Sequence, residues 1–399
     1  MARALRPLML AGALVAVLAS TPLSAQRIKG PVSDGGPEAS LAKIFEAIEQ
    51  RKLDEALDRT DSLIKIYPNF RLAYLIRGDL LLARSRPLND FGAAPGAPRE
   101  RVADLQAEAI ARLRAYRDRP QVNTMPRYLL QMRPEQKRAI VVDTQRARLY
   151  VYANDNGTPR FLADYYISYG KEGTDKSREG DRKTPVGVYH VVSSLPRKKL
   201  PDFYGSGAFP LNYPNEYDKL QGREGHGIWL HGVPSDTLAR PPKASDGCVV
   251  LANQDLDAVA SHLQVGLTPV IISDKVEWLS LDDWNQQRTS LLKEIDTWRQ
   301  DWQSGDTERY LKHYARDFKS DNATRKQWAA YKRAVATDKQ WVKVEISKLG
   351  MFRSPGKQDM VVVTFEQDYR SNNHQEVAQK RQYWIKEDGR WKIAYEGLA

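Results

Sequence analysis

The sequence predicts a multidomain chain: an N-terminal α-helical segment, a central mainly-β domain and a C-terminal α+β domain. Three observations predict it. Apolar residues recur every three or four positions as far as about residue 117, strand-like runs replace them near residue 138, and eight of the nine tryptophans follow residue 275. The 399 residues suit two or three domains at roughly 100 to 200 residues each. With 41% hydrophobic and 28% charged residues there is enough apolar material for several cores, which excludes a disordered chain and a polytopic membrane protein.

The chain opens with Arg3 and Arg6 before an apolar run from Leu8 to Ala19. That run has the length of a secretory h-region and is too short to cross a bilayer. Residues 1–25 are expected to be a signal peptide cut after Ala25, giving a periplasmic protein with no integral membrane segment. No cysteine stands near the cut, so no lipid anchor is expected. Residues 26–37, rich in Gly, Pro and Ser, read as a lead-in.

Residues 38–120 are expected to be helical. Leu41, Ile44, Phe45 and Ile48 mark one amphipathic helix from Ala39 to Glu49, and Leu53, Ala56, Leu57, Leu63 and Ile64 a second from Leu53 to Tyr67. Pro68-Asn69 separates a third, Leu72 to Arg84, and a Pro/Gly/Ala loop from Asn89 to Arg99 leads to a fourth, Glu100 to Arg117. The distance from Leu41 to Tyr74 is close to the 34-residue period of tetratricopeptide (TPR) hairpins, so the segment is TPR-like. It reads as a docking or self-association module for a protein partner, without chemistry of its own.

Residues 137–274 form the β-rich domain. Strands are expected at 139–142, 149–152, 161–169, 187–192, 227–230 and 268–272, with one helix that Asn253 would cap and that runs to Gly266. Cys248 is the sole cysteine, which excludes an intrachain disulfide and a cysteine-rich metal cluster; no metal or cofactor is required. In an exported protein such a thiol is either buried and inert or kept for reactivity. Its context points to reactivity. His231-Gly232 ends a strand seventeen residues earlier, and an imidazole beside a thiol can take its proton. In Ser245-Asp246-Gly247-Cys248, Gly247 lets the backbone approach a scissile carbonyl, and the amides there can donate to an oxyanion. That is acyl-transfer chemistry.

These residues resemble the L,D-transpeptidase catalytic (YkuD) domains that act on peptidoglycan. The segment Gly180-Asp181-Arg182-Lys183-Thr184-Pro185-Val186-Gly187-Val188-Tyr189 is similar to the family's K-T-P-x-G-x-Y/F signature, and His-Gly followed by Ser-x-Gly-Cys completes the likeness. The resemblance implies that Cys248 is the nucleophile and His231 the general base. It further implies that Ser245, Gly247 and Gly232 shape the turn and oxyanion hole, and that Tyr213 and Asp246 lie at the substrate. Two positions depart from the family: Asp246 stands where many members have a second histidine, and Val250 where many have Arg or Asn. Carboxylate recognition then falls to other residues, with the basic stretches Lys171 to Lys183 and Arg197 to Lys199 as candidates.

Residues 281–399 are expected to begin with helices, Leu281 to Trp302 and Thr307 to Phe318, and to continue with strands at 342–349, 359–369, 377–385 and 391–395. Helices followed by a curved sheet resemble the nuclear transport factor 2-like (NTF2-like) cone. Helical segment, YkuD-type domain and cone together resemble the cell-shape LD-carboxypeptidases. Tyr310, His313 and Tyr314 read as core or rim rather than as a second site.

The expected activity is acyl transfer on peptidoglycan stem peptides at the bond between diaminopimelate and D-alanine. An amine acceptor would make the enzyme an L,D-transpeptidase and water would make it an LD-carboxypeptidase; a non-catalytic wall-binding scaffold is the reading from another class. The formal charge of +11 suits a carboxylate-rich polymer, and no nucleic-acid motif is present.

Overall fold

The computed structural model describes residues 36–399 apart from positions 89, 94, 95 and 97, so the expected signal peptide lies outside the described residues. Among them, no helix is long and apolar enough to cross a membrane.

Four helices come first: Pro37–Glu49, Leu53–Ile66, Arg71–Ala83 and Arg99–Arg117. Their apolar stripes converge on Leu41, Ile44, Leu63, Phe70, Leu72 and Ile76, all at most 1% exposed. Leu238, from the loop between His231 and Cys248, packs against this same core. The helical segment is also bolted to the central sheet by buried charge. Arg112 holds Glu38 at 2.5 Å and Glu108 at 2.9 Å, and its guanidinium lies 3.8 Å from the centre of the Tyr166 ring. Arg148 pairs with Asp164 at 2.5 Å and reaches Glu38 at 3.3 Å.

The central sheet runs through Gly187–His190, Pro269–Ser273, Arg138–Asp143, Arg148–Asp155, Thr158–Gly170, Val249–Leu251, Trp229–His231, Gly207–Pro210 and Leu195–Pro196, in that spatial order. The strands at 138–143 and 269–273 are buried almost throughout, as continuous apolar runs in a covered sheet should be. The helix Asn253–Ala260 corrects one expectation. Ala252 occupies its cap position, and the Asn253 side chain instead accepts from the Ser206 and Val233 amides at 3.0 and 3.1 Å and donates to the Val233 carbonyl at 2.9 Å. Asn253 thereby ties down the chain just after His231.

The C-terminal domain packs Leu281–Gln303 and Arg325–Thr337 against an antiparallel sheet of Val342–Arg353, Met360–Ser371, Gln375–Glu387 and Arg390–Leu398. The expected helix 307–318 stops at Leu311, and Tyr314–Ser320 is a strand parallel to the last one. Its Tyr314, Ala315 and Phe318 are buried, so this edge of the sheet overrides the local helical spacing. Tyr310 and Tyr314 are core residues, and the His313 Nε2 lies 2.7 Å from Asp301. The cone carries an open pocket of about 570 Å³ bordered by Trp302, Tyr310, Trp328, Lys332 and Tyr369. Before the central domain, Leu129–Gln131 adds a strand to the C-terminal sheet through Phe352, and Thr124–Pro126 pairs with Trp278–Ser280. These connections join the two β-containing domains.

Candidate active site

His231 ends one strand and Cys248 directly precedes its parallel neighbour, with Leu230 opposite Val249 and His231 opposite Val250. Side chains alternate along a strand, so Leu230 and Val249 share one face. His231 is one step from that pair, and Cys248 directly precedes Val249; carrying the alternation back by that one residue puts the two side chains on the other face. The register that a count of seventeen residues could not supply places the two diagonally on one face.

The imidazole is prepared as a base. Its Nδ1 lies 2.7 Å from the Gly232 carbonyl, which can only accept, so Nδ1 carries the proton and the Nε2 lone pair remains free. His231 is 1% exposed, and burial lowers its pKa to about 4, with Arg240 adding to the effect, so it is neutral near pH 7. Rings from the loop at 202–204 wall it in: Tyr204 meets it edge-on at 5.1 Å and Phe203 lies 5.8 Å away.

The Cys248 thiol is partly exposed and donates to the Gly227 carbonyl at 3.3 Å. Its hydrogen bond is thus to backbone rather than to the imidazole. Burial pushes its pKa up to about 11; Asp246 raises it further, while the Trp229 amide, Arg240 and Lys176 act the other way. The resting pair is a neutral thiol and a neutral imidazole, with no preformed thiolate-imidazolium pair.

The turn before the sulfur is held from three sides. The Ser245 Oγ donates to the Cys248 carbonyl at 2.6 Å and accepts from the Gly247 amide at 3.1 Å. Gly247 has φ +125°, and a Cβ there would stand 2.7 Å from the Lys183 carbonyl oxygen, so the position demands glycine. Thr184 donates to the Gly247 carbonyl at 2.9 Å and accepts from the Gly170 amide at 2.9 Å, so this motif residue braces the cysteine turn. Since the Gly247 N–H is taken by Ser245, the Cys248 N–H is the donor this turn has left for an oxyanion.

The remaining expected residues separate. Gly232 lies where a Cβ would stand 2.1 Å from the Asn253 Oδ1, which makes it a packing requirement of the loop after His231. Tyr213 is 5% exposed, packs edge-on to Tyr189 and donates to the Glu224 carbonyl at 3.0 Å, which sets its ring in the domain core. Asp246 is exposed beside the thiol. In the basic stretches, Lys176 is buried on Asp181 at 2.8 Å, Arg182 pairs with Glu172 at 2.7 Å and Arg197 lies 3.7 Å from Asp202. Phe203, Tyr204 and Arg240 carry no motif in the sequence and meet the site only through the fold, and Asn253, expected as a helix cap, serves the chain after His231 instead.

The family model for the L,D-transpeptidase catalytic domain (YkuD) matches residues 137–272, and that for the Cds6 C-terminal NTF2-like domain matches residues 290–397. The structure of Bdellovibrio bacteriovorus Bd1075 is similar at 30% identity and a TM-score of 0.62, covering 69% of this chain and 98% of that one. The chain belongs to the YkuD family, in the form that carries a C-terminal NTF2-like domain. The helical cell shape determining protein Pgp2 from Campylobacter jejuni is similar at 30% identity and a TM-score of 0.58, over 68% of this chain and 95% of its own. YafK of Escherichia coli (strain K12) is 32% identical over 130 residues, and the chain spans 47% of that relative's length. The expected architecture of helices, YkuD domain and NTF2-like domain is borne out; both family matches lie outside the helical segment.

Proposed function

We propose that this protein is a periplasmic, cysteine-dependent enzyme that acts on peptidoglycan stem peptides at the bond between diaminopimelate and D-alanine. The observation that carries this reading is the strand register that sets His231 and Cys248 on one face of the sheet, together with an Nε2 lone pair that is free and a thiol that is partly exposed.

As a substrate carbonyl enters, rotation about the Cys248 Cα–Cβ bond turns the thiol from the Gly227 carbonyl toward Nε2. The thiol proton passes to Nε2 while sulfur bonds to the carbonyl carbon. The Cys248 N–H receives the oxyanion, and the Gly232 carbonyl steadies the imidazolium through Nδ1–H. That imidazolium then gives its proton to the D-alanine nitrogen as the C–N bond breaks, leaving a thioester. An acceptor attacks the thioester, yields its proton to Nε2, and the sulfur leaves and is reprotonated.

Water as acceptor produces the tripeptide, and an amine produces a crosslink. Hydrolysis is favoured by the resemblance to the cell-shape LD-carboxypeptidases, since the likeness to Pgp2 extends over both domains. Purified protein would be mixed with disaccharide-tetrapeptide and the products weighed by mass spectrometry. Tripeptide plus free D-alanine is the expected result and crosslinked dimers would make the enzyme a transpeptidase. Identical products from wild type and Cys248→Ala would overturn the enzymatic reading in favour of a scaffold.

A further inference from the structure

Arg240 stands out among the cations around the site. Lys176, Arg182 and Arg197 have Asp181, Glu172 and Asp202, and Arg71 lies 3.9 Å from Asp236; Lys183 and Lys243 also form no ion pair among the described residues, but Arg240 is the one that bears on the charge of both His231 and Cys248. Arg240, half-buried, contacts no carboxylate among the described residues. Its guanidinium lies 4.5 Å from the centre of the Phe203 ring, and one nitrogen donates to the Phe203 carbonyl at 3.4 Å. Phe203 in turn lies against His231. Arg240 is near enough to bear on the charge of both His231 and Cys248.

The backbone that presents this cation is built rather than loose. The Arg240 carbonyl accepts from the Tyr166 hydroxyl and from the Ser168 Oγ, each at 2.9 Å. Tyr166 is the ring on which Arg112 of the helical segment stacks. Upstream in the same loop, the Asn69 Nδ2 donates to the Ser235 carbonyl at 3.2 Å, the Leu238 amide donates to the Asn69 carbonyl at 3.4 Å, and Leu238 enters the helical core. Asp246 bears on the Arg240 charge without forming an ion pair with it, so no close carboxylate offsets the desolvation of the guanidinium unless a ligand supplies one. Val250, which holds the family's usual cation position, is apolar and 2% exposed and cannot supply that charge.

We propose that Arg240 is the carboxylate-binding residue of this groove, receiving a carboxylate of the stem peptide beside Cys248, and that the helical segment holds it in place. The proposal rests on the acyl-transfer reading and names the determinant of its substrate recognition. Two stem-peptide carboxylates share the required chemistry, that of the terminal D-alanine and the free one of diaminopimelate.

The test measures binding by titration calorimetry to Cys248→Ala and to Cys248→Ala with Arg240→Gln, so it does not depend on turnover. The ligands are disaccharide-tetrapeptide, its terminal D-alaninamide and its diaminopimelate amide. A charge-assisted pair should be worth about tenfold or more in affinity. Cys248→Ala should bind the acid about tenfold more tightly than one of the two amides, which identifies the carboxylate, and Arg240→Gln should abolish that preference. Arg240→Lys, which keeps charge but not the fork, should restore part of it. A preference that survives Arg240→Gln, equal binding of acid and both amides to Cys248→Ala, or no binding at all would overturn the proposal. Turnover by wild type with an Arg240-independent preference would refute this assignment alone. An Arg240-dependent preference without turnover would refute only the catalytic reading.

Discussion

The neutral resting pair fixes an unusual acid limb for the pH profile. Burial places the His231 pKa at about 4 instead of 6.5. At pH 5 an imidazole of pKa 4 is about 90% neutral, whereas one of pKa 6.5 is about 3% neutral. A base that must be neutral to accept the thiol proton therefore retains about 90% of its pH 7 value of kcat/KM at pH 5. With the thiol pushed up to about 11, no alkaline limb from Cys248 is expected below about pH 9. Stopped assays of D-alanine release between pH 4 and 9 read this directly. Half-loss of kcat/KM between pH 6 and 7 would refute a buried neutral base. The same shift acts on stability. The unfolded chain binds the His231 proton below about 6.5 and the folded chain only below about 4, so stability falls as pH drops through that window and levels off beneath it. The full effect is on the order of 3 kcal/mol, from 2.5 units at about 1.4 kcal/mol each. His231→Gln should flatten the dependence of Tm on pH between 4 and 6.5, and an unchanged slope would contradict the assignment.

Three further outcomes follow from the packing. Thr184→Val removes the hydroxyl that joins Gly170 to Gly247 and leaves a buried amide and carbonyl unpaired; a loss of about 2 to 4 kcal/mol should appear in denaturant unfolding, with slower turnover. Gly247→Ala places a methyl group against the Lys183 carbonyl at a left-handed φ, so D-alanine release should fall to the level of Cys248→Ala, and near-normal turnover would exclude the tight turn. Arg112→Met strands Glu108, whose carboxyl burial already holds above its usual range, and leaves Glu38 with Arg148 alone; stability should fall by about 3 to 5 kcal/mol, with earlier proteolysis inside residues 36–118.

What could be read from the sequence and what could not divides along physical lines. The first three N-terminal helices were legible because each carries its own apolar stripe, whereas Arg99–Arg117 buries Glu108 and Arg112 beside Ala109 and Leu113 and was marked only by the loop before it; the strands at 138–143 and 269–273 were legible because continuous β-branched runs need no partner to be recognised. Cys248, His231 and Thr184 were legible through motifs. The strand Leu129–Gln131 was not, because three residues acquire strand character only from Phe352, more than 200 positions away. Asn253 looks like a helix cap by local rule, yet the chain after His231 offers it more partners. Tyr213 lies near the right motif, but its hydroxyl is used inside the core. Arg240 lacks any motif, and only the clamp between the helical segment and the 232–242 loop brings it to the site.

The central claim is a covalent bond between the Cys248 sulfur and the stem peptide, and acid-quenched mass spectrometry of enzyme mixed with disaccharide-tetrapeptide tests it most directly. The account predicts an adduct of disaccharide-tripeptide less one water, confined to the peptide containing Cys248 and formed together with free D-alanine. D-alanine release that persists in Cys248→Ala, or an adduct on any other residue, would contradict it.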